Sequence, residues 1–298
     1  GFDYLMVFFI LFTMIHAHIW LRKLANYLSK TLDVSKSKVT AKLINETKIA
    51  LNNHEHFNKE DKKCNEEAIT RYLIARELNI PETVEMVIKW QTWRVEFGVD
   101  NINAETVKNE IESGKAYFNG FYDKHGRACC AVRPRLHDPS VRDIKECMQF
   151  AVYLLEDGIS RSEKLGQSDQ VCILYDRSGF NYKNFDYQLF TTSKSLVTML
   201  QDNYAERLGA LYVIGAGWFY WMIFNIVKVF LTKRTKEKIH LIGNLDELLN
   251  HFEIDQLELE YLSDENKEKK QELQLQQGKA LKMQNNNNDD NNNTKMNN

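Results

Sequence analysis

The stretch RLGALYVIGAGWFYWMIFNIVKVFL, Arg207 to Leu231, has a single charge after its first residue, Lys228, in a chain of otherwise water-soluble composition. Two architectures compete for it. One is a single bilayer-crossing helix; the other is a buried strand followed by a separate apolar helix. Gly209, Gly215 and Gly217 favour the second, because they fall where a strand ends and a helix begins. ALYVI, Ala210 to Ile214, is rich in β-branched and aromatic residues, as a short strand requires. A helix from Gly217 to Leu231 would be roughly 22 Å long, short of a hydrocarbon core of roughly 30 Å. Asn225 and Lys228 would also be costly at bilayer depth. Trp218, Trp221, Phe224, Ile226, Val227 and Phe230 leave that helix no polar face, unlike an ordinary surface helix. It is either buried on all sides in the core or a lid over an apolar cavity that touches membrane when the protein docks.

The rest of the chain is consistent with a folded domain. Its 298 residues suit one large domain or two small ones. A formal net charge of −2 gives no support to a nucleic-acid partner. The five cysteines, Cys64, Cys129, Cys130, Cys147 and Cys172, include no C-x-x-C pair, so a zinc or redox motif is not indicated. Cys129, Cys130 and Cys172 lie in apolar runs and read as small buried hydrophobes in a reducing compartment.

Residues 1–32 form an apolar N-terminal segment, with Tyr4–Leu21 mostly apolar and Arg22, Lys23 and Lys30 following. Three readings stay open: a membrane anchor, a spurious or truncated leader, and a cleaved signal peptide. As an anchor it would leave the domain facing the cytosol. Residues 33–63 read as a polar linker with a short helix near Val39–Leu51. His54 and His56 belong to a solvated loop, since a metal site needs more convergent ligands. Residues 64–103 read as a helical subdomain of two helices, with Pro81 in a first helical turn and Gly98 at a helix end.

From about Ala116 the period changes. Asp123–Gly126 predicts a hairpin-like turn, followed by the strand ACCAV. An amphipathic helix spans Val141 to Ile159, QVCILYD (Gln170–Asp176) is a buried strand, and Phe185–Leu200 is a further helix. ALYVIG and KIHLIG (Lys238–Gly243) add two strands. Strands alternating with helices predict an α/β fold with a mostly parallel sheet flanked by helices, in a domain spanning 104–262. Residues 263–298 read as a polar, Asn-rich disordered tail, whose DENKEKKQELQLQQ part is too hydrophilic to pack well even as a helix.

Asp202–Gly243 resembles the hallmark segment of the CRAL-TRIO lipid-transfer family, at Tyr204, Glu206, Arg207, Gly209, Lys228, Phe230, Leu231, Thr235, Lys238, Ile239 and Gly243. It departs at Ala205, where the family usually has Pro. Thr70–Asp100 resembles the family's N-terminal helices, with Arg71, Leu73, Ala75, Arg76, Trp93, Arg94 and Gly98 in place. YDRSGF and FEIDQLELEY resemble the central strand and the closing segment. The resemblance implies a CRAL-TRIO fold holding one lipid in an apolar pocket. The pocket would be walled by Val171, Ile173, Tyr175, Leu211 and Val213. The helix bearing Trp218, Trp221, Phe224, Ile226, Val227 and Phe230 would be its gate. It also implies a polar end formed by Arg76, Glu206 and Lys238, which a structural ion-pair network would explain equally well.

Phosphoinositide-exchanging members carry a second basic residue where this chain has Glu77. They also present hydroxyls where Val171 and Ile173 stand. A phosphate buried without donors is costly, so the resemblance extends poorly to phosphatidylinositol. The resemblance implies no cofactor beyond the bound lipid, a phospholipid or other hydrophobic molecule. Membrane lipid and a membrane surface are the expected partners, for a cytoplasmic, membrane-associated monomer. The alternative is a membrane-tethered lipid-sensing or scaffold module without transfer activity.

One spacing in the chain matches an enzymatic motif. Cys129 and Arg135 have the Cys-x₅-Arg spacing of cysteine phosphatases. The interior CAVRP offers no glycine to wrap phosphate with N–H groups, and Pro134 lacks one. No catalysis is expected.

Overall fold

The computed structural model describes residues 38–186, 188–189, 196–215 and 238–276. A five-stranded sheet runs in the order β1 (Ala116–Tyr122), β2 (Ala128–Val132), β3 (Val171–Asp176), β4 (Leu208–Ile214) and β5 (Ile239–Leu241). The first pair is antiparallel and the other three pairs are parallel. The mostly parallel α/β sheet read from the sequence is therefore present. ACCAV forms β2, VCILYD β3, LGALYVI β4 and IHL β5.

The predicted hairpin is closed by Asp123. Its backbone N–H donates to the Arg127 carbonyl at 3.0 Å, and its Oδ1 accepts from the N–H groups of His125 and Arg127. An Asp doing this offers the backbone a ready turn.

Alternation along the strands sorts the side chains onto two faces. Cys129, Cys172, Leu174, Ala210, Tyr212 and Ile214 share one face with Ile242, Leu248, Phe252, Leu257, Tyr261 and Leu262 of the closing segment. The other face is covered in part by the amphipathic helix α5, Ile144–Leu165, which starts at the Asp143 N-cap and ends at Gly166 in the left-handed region. Val152 and Ile159 of α5 pack on Val171, and Phe150 packs on Cys130.

Gly158 lets α5 approach the sheet. A Cβ there would stand 2.9 Å from both Val171 Cγ1 and Phe118 Cε1. Within the helix expected at Phe185–Leu200, Gln188, Leu189 and Leu196–Leu200 are helical, and α6, Leu196–Asn203, continues three residues beyond the expected end. Residues 190–195 lie outside the described residues.

The N-terminal helices form a second core. Helix α1 (Ala41–Asn52), α2 (Glu66–Ala75) and α3 (Ile80–Phe97) pack around Leu51, Ile69, Leu73, Val84, Val87 and Trp90. Within the stretch read as a polar linker, α1 is thus a packed element, with Thr47 and Leu51 buried. A short helix, α4 (Lys108–Glu112), leads into β1. Pro81 and Gly98 occupy the positions expected of them, in the first turn of α3 and at its left-handed C-cap, φ 71°.

Helix α2 ends on a Schellman closure. Leu78 N–H donates to the Leu73 carbonyl at 2.8 Å and Glu77 N–H to that of Ile74 at 3.3 Å. The closure places Glu77 at φ 54° and Leu78 at φ 66°, a region glycine normally fills.

The expectation that DENKEKKQELQLQQ would not pack is corrected. Residues 264–276 form helix α7. Its Lys270 is buried, donates to the carbonyls of Asp255 and Leu257, and lies 5.1 Å from the centre of the Phe121 ring. A long aliphatic stem lets a lysine pack where composition reads only charge. Among the described residues no helix is long and apolar enough to cross a membrane. The N-terminal apolar segment lies outside them.

Gly158→Ala sets two effects against each other. Alanine is the better helix former by about 1 kcal/mol, whereas overpacking a filled core costs about 1–3 kcal/mol. Since Val171 cannot retreat from the sheet, the variant is expected to lose about 1 kcal/mol net in urea unfolding, and trimming Phe118 to Leu should recover part of it.

Candidate functional site

The five residues expected to wall the pocket share one face of the sheet. Register places Ile173 beside Leu211 and Tyr175 beside Val213 on adjacent parallel strands. Cys130 and Ile239 flank the first pair, and Val132 and Leu241 the second. Val171 and Val213 are buried, while Ile173, Tyr175 and Leu211 are only partly so. Strands β3 and β4 therefore have a better-covered face, towards the closing segment, and a less covered apolar face. Val171 sits under α5 and serves the core. Trp218, Trp221, Phe224, Ile226, Val227 and Phe230, expected to form a gate, lie outside the described residues.

At the amino end of β4 the turn Asn203–Arg207 distributes its side chains to separate parts of the molecule. Tyr204 is buried and meets Trp93 edge-on at 5.9 Å, and its hydroxyl donates to Glu156 Oε1 at 2.9 Å. Ala205, in place of the family's usual proline, is packed in the helical core. Glu206, buried, takes φ 59°. Its carboxylate meets Lys238 Nζ at 3.3 Å, joining the turn before β4 to the residue that immediately precedes β5. Arg207 turns the opposite way, to Glu163 at 3.1 Å and the Asp169 carbonyl at 2.6 Å.

The turn is stitched to the start of β3 by two further bonds. Gln170 Nε2 donates to the Glu206 carbonyl at 2.9 Å and Val171 N–H to that of Arg207 at 2.8 Å. Gly209 follows because a Cβ there would stand 2.5 Å from Arg127 Cδ.

The structure thus joins Glu206 and Lys238 directly. Arg76 caps α2 and lies near Asp202, four residues before Glu206. Burial raises the Asp202 carboxyl above its ordinary range, and the charge of Arg76 works to lower it. Glu77 sits at the left-handed end of α2.

A polar cleft of about 750 Å³ opens between the helical core and α5. Arg71, Arg94 and Arg207, which the sequence marks only as family matches, all line this cleft. Arg94, 6% exposed, bridges Glu156 and Asp100 at 2.7 Å each. Burial pushes the Glu156 carboxyl up, but bonding to Arg94 outweighs it and leaves it below the ordinary range. A second, smaller cleft of about 410 Å³ lies at the carboxyl ends of β3 and β4, beside Arg135, Asp176 and Gly179. Neither cleft is lined by the five strand residues expected to form the pocket.

The phosphatase spacing does not assemble a loop. Cys129 is buried in the core against the closing segment, and Arg135 pairs with Asp176. Among the described residues no group of His, Cys, Asp and Glu is arranged to hold a metal.

Comparison with known proteins agrees with this architecture. The CRAL/TRIO domain family matches residues 111–261. The chain is 29% identical over 198 residues to the Sec14 cytosolic factor of Schizosaccharomyces pombe, covering 61% of this chain and 68% of that protein. It is 28% identical over 204 residues to the phosphatidylinositol transfer protein CSR1 of Eremothecium gossypii, covering 64% and 45%. It is 30% identical over 194 residues to the phosphatidylinositol/phosphatidylcholine transfer protein SFH12 of Arabidopsis thaliana, covering 58% and 34%. The chain therefore spans less than half the length of the last two.

Removing one partner of a buried ion pair costs about 3–5 kcal/mol, but Glu156 is 34% exposed and keeps Lys63 at 3.7 Å. Arg94→Met is therefore expected to cost about 1–3 kcal/mol at neutral pH. Because the Glu156 carboxyl is held low, the wild-type contribution is fully present above the ordinary carboxylate pKa and is lost as pH falls from there through the lowered Glu156 value. The two proteins' unfolding midpoints should converge in acid.

Proposed function

This chain belongs to the CRAL/TRIO family, and on that footing we propose that it binds one lipid molecule against the less covered face of its sheet and exchanges it with membranes. The observation that carries the reading is the asymmetry of the sheet. One face of β3 and β4 is sealed by the closing segment, while Ile173, Tyr175 and Leu211 on the other face remain partly exposed. The similarity to proteins whose names describe phosphatidylinositol transfer supports the same reading.

The lipid's acyl chains would lie along this apolar row. Burying an acyl chain is worth about 0.8 kcal/mol per CH₂, so two chains of ordinary length are worth on the order of 20 kcal/mol against water. A bilayer offers much the same, so exchange is near neutral in free energy and its barrier is access. The segment 217–231 supplies that access as a gate helix in this proposal, on the strength of its all-apolar pattern. No bond is made or broken, and no cofactor beyond the lipid is required.

The lipid's polar end is assigned to Glu206, Lys238 and Arg76. A phosphatidylinositol headgroup fits this chain poorly. Glu77 brings a negative charge at the end of α2, and Val171 and Ile173 offer no hydroxyl. The protein works in the cytoplasm at membrane surfaces, as a monomer, in this reading.

Transfer of a fluorescent phospholipid between vesicles tests the proposal. Wild type is expected to transfer, and Phe224→Asp, which puts a charge in the gate, should abolish transfer while leaving far-UV circular dichroism unchanged. Wild-type rates in that variant would refute the gate.

A further inference from the structure

The cleft between the helical core and α5 holds chemistry that lipid burial does not use. Two guanidinium groups, Arg71 of α2 and Arg207 of the turn before β4, lean on one carboxylate, Asp169. The distances to its Oδ2 are 3.0 Å and 3.9 Å. Both arginines are largely buried, with side chains 12% and 15% exposed. A guanidinium carries five N–H donors. Among the described residues Arg71 has one side-chain acceptor, Asp169, reached through NH1. Arg207 reaches both of its acceptors, Glu163 and the Asp169 carbonyl, through NH1 as well.

The Nε and NH2 groups of both arginines therefore donate to no protein atom among the described residues. None of these nitrogens counts among the unpartnered polar atoms sealed in the interior. They are therefore not sealed from solvent, and both residues line the cleft.

Asp169 and Glu163 are the carboxylates paired with these two arginines, and Glu67 and Glu156 line the cleft too, against Lys62, Lys63 and Arg94. Burial and the neighbouring charge of Arg207 both pull the Arg71 pKa below its ordinary value. Glu163, the other carboxylate touching Arg207, is 52% exposed. A pairing so exposed is weak, so a stronger ligand can replace it. On the rim, Lys62 is exposed and no carboxylate among the described residues pairs with it. Two arginine forks with free edges suit a tetrahedral, doubly charged oxyanion better than one planar carboxylate, because each fork can engage a separate pair of oxygens.

We propose that this cleft is a binding site for a phosphate dianion, held between Arg71 and Arg207 with Lys62 at its mouth. The group is either a free phosphate or the phosphomonoester of a lipid headgroup presented by a membrane. Because Arg71 belongs to the helical core and Arg207 leads into β4, the bound anion also braces the helical subdomain against the sheet.

The test is calorimetric titration of the full chain with inorganic phosphate, at constant ionic strength against chloride. It is paired with flotation on phosphatidylcholine vesicles with and without phosphatidic acid. Lys62→Glu reverses an exposed charge without touching the core, and Arg71→Lys keeps the charge but removes the fork. The site predicts saturable binding in wild type, weakened about tenfold by Arg71→Lys and severalfold by Lys62→Glu. If Arg71→Lys fails to fold, Lys62→Glu decides alone.

Phosphatidic-acid-dependent flotation that Lys62→Glu abolishes would assign the ligand to a headgroup. Phosphate binding without it would assign the free ion. The proposal is overturned if wild type prefers neither phosphate over chloride nor phosphatidic acid over plain vesicles, or if Lys62→Glu leaves wild-type binding of both.

Discussion

The structure depends on one backbone constraint, the left-handed conformation of Glu206 at φ 59°. A non-glycine residue held there costs on the order of 1–3 kcal/mol, which surrounding contacts must offset. They do so from several directions. Tyr204 is locked against Trp93 and Glu156, and Ala205 is packed in the helical core. The Glu206 and Arg207 carbonyls are bonded to Gln170 and Val171 at the start of β3. With the backbone turned over at Glu206, its carboxylate meets Lys238 beside β5 while the next side chain, Arg207, enters the cleft on the helical side. One short turn thereby joins helical core, sheet and candidate polar site.

The same turn starts β4 in the register that puts Leu211 beside Ile173 and Val213 beside Tyr175. The apolar row and the Glu206–Lys238 pair are thus fixed relative to each other. An amphiphile needs this arrangement: a greasy surface with a charged group at one end. Strain at this position aims two consecutive charged residues at different environments.

Much of the fold was legible because strands β2 to β5 are short apolar runs between breakers, and their alternation survives in the sheet. Asn79, Pro81 and Gly98 bound α3 by local chemistry that needs no tertiary information. The helix read at Phe185–Leu200 ends three residues later, at Asn203, because the polar residues Gln201, Asp202 and Asn203 give an apolar pattern nothing to follow. Helix α7 was misread because Lys270 packs through its stem and bonds to carbonyls, which a hydropathy pattern scores as solvent. Of the site, the Glu206–Lys238 pair and the shared strand face could be anticipated. The arginine cleft could not, since Arg71 and Asp169 stand 98 residues apart in the chain. Nor does any composition signal announce that Glu77, Leu78 and Glu206 adopt positive φ.

The central claim is that the partly exposed face of β3 and β4 is a lipid-binding surface. Native mass spectrometry of the full chain, with lipid extraction and identification, addresses it most directly. Wild type should carry one lipid per chain, and a double change of Ile173 and Leu211 to Asp should be folded and empty. A wild-type protein without lipid, or a double variant that keeps it, would contradict the account.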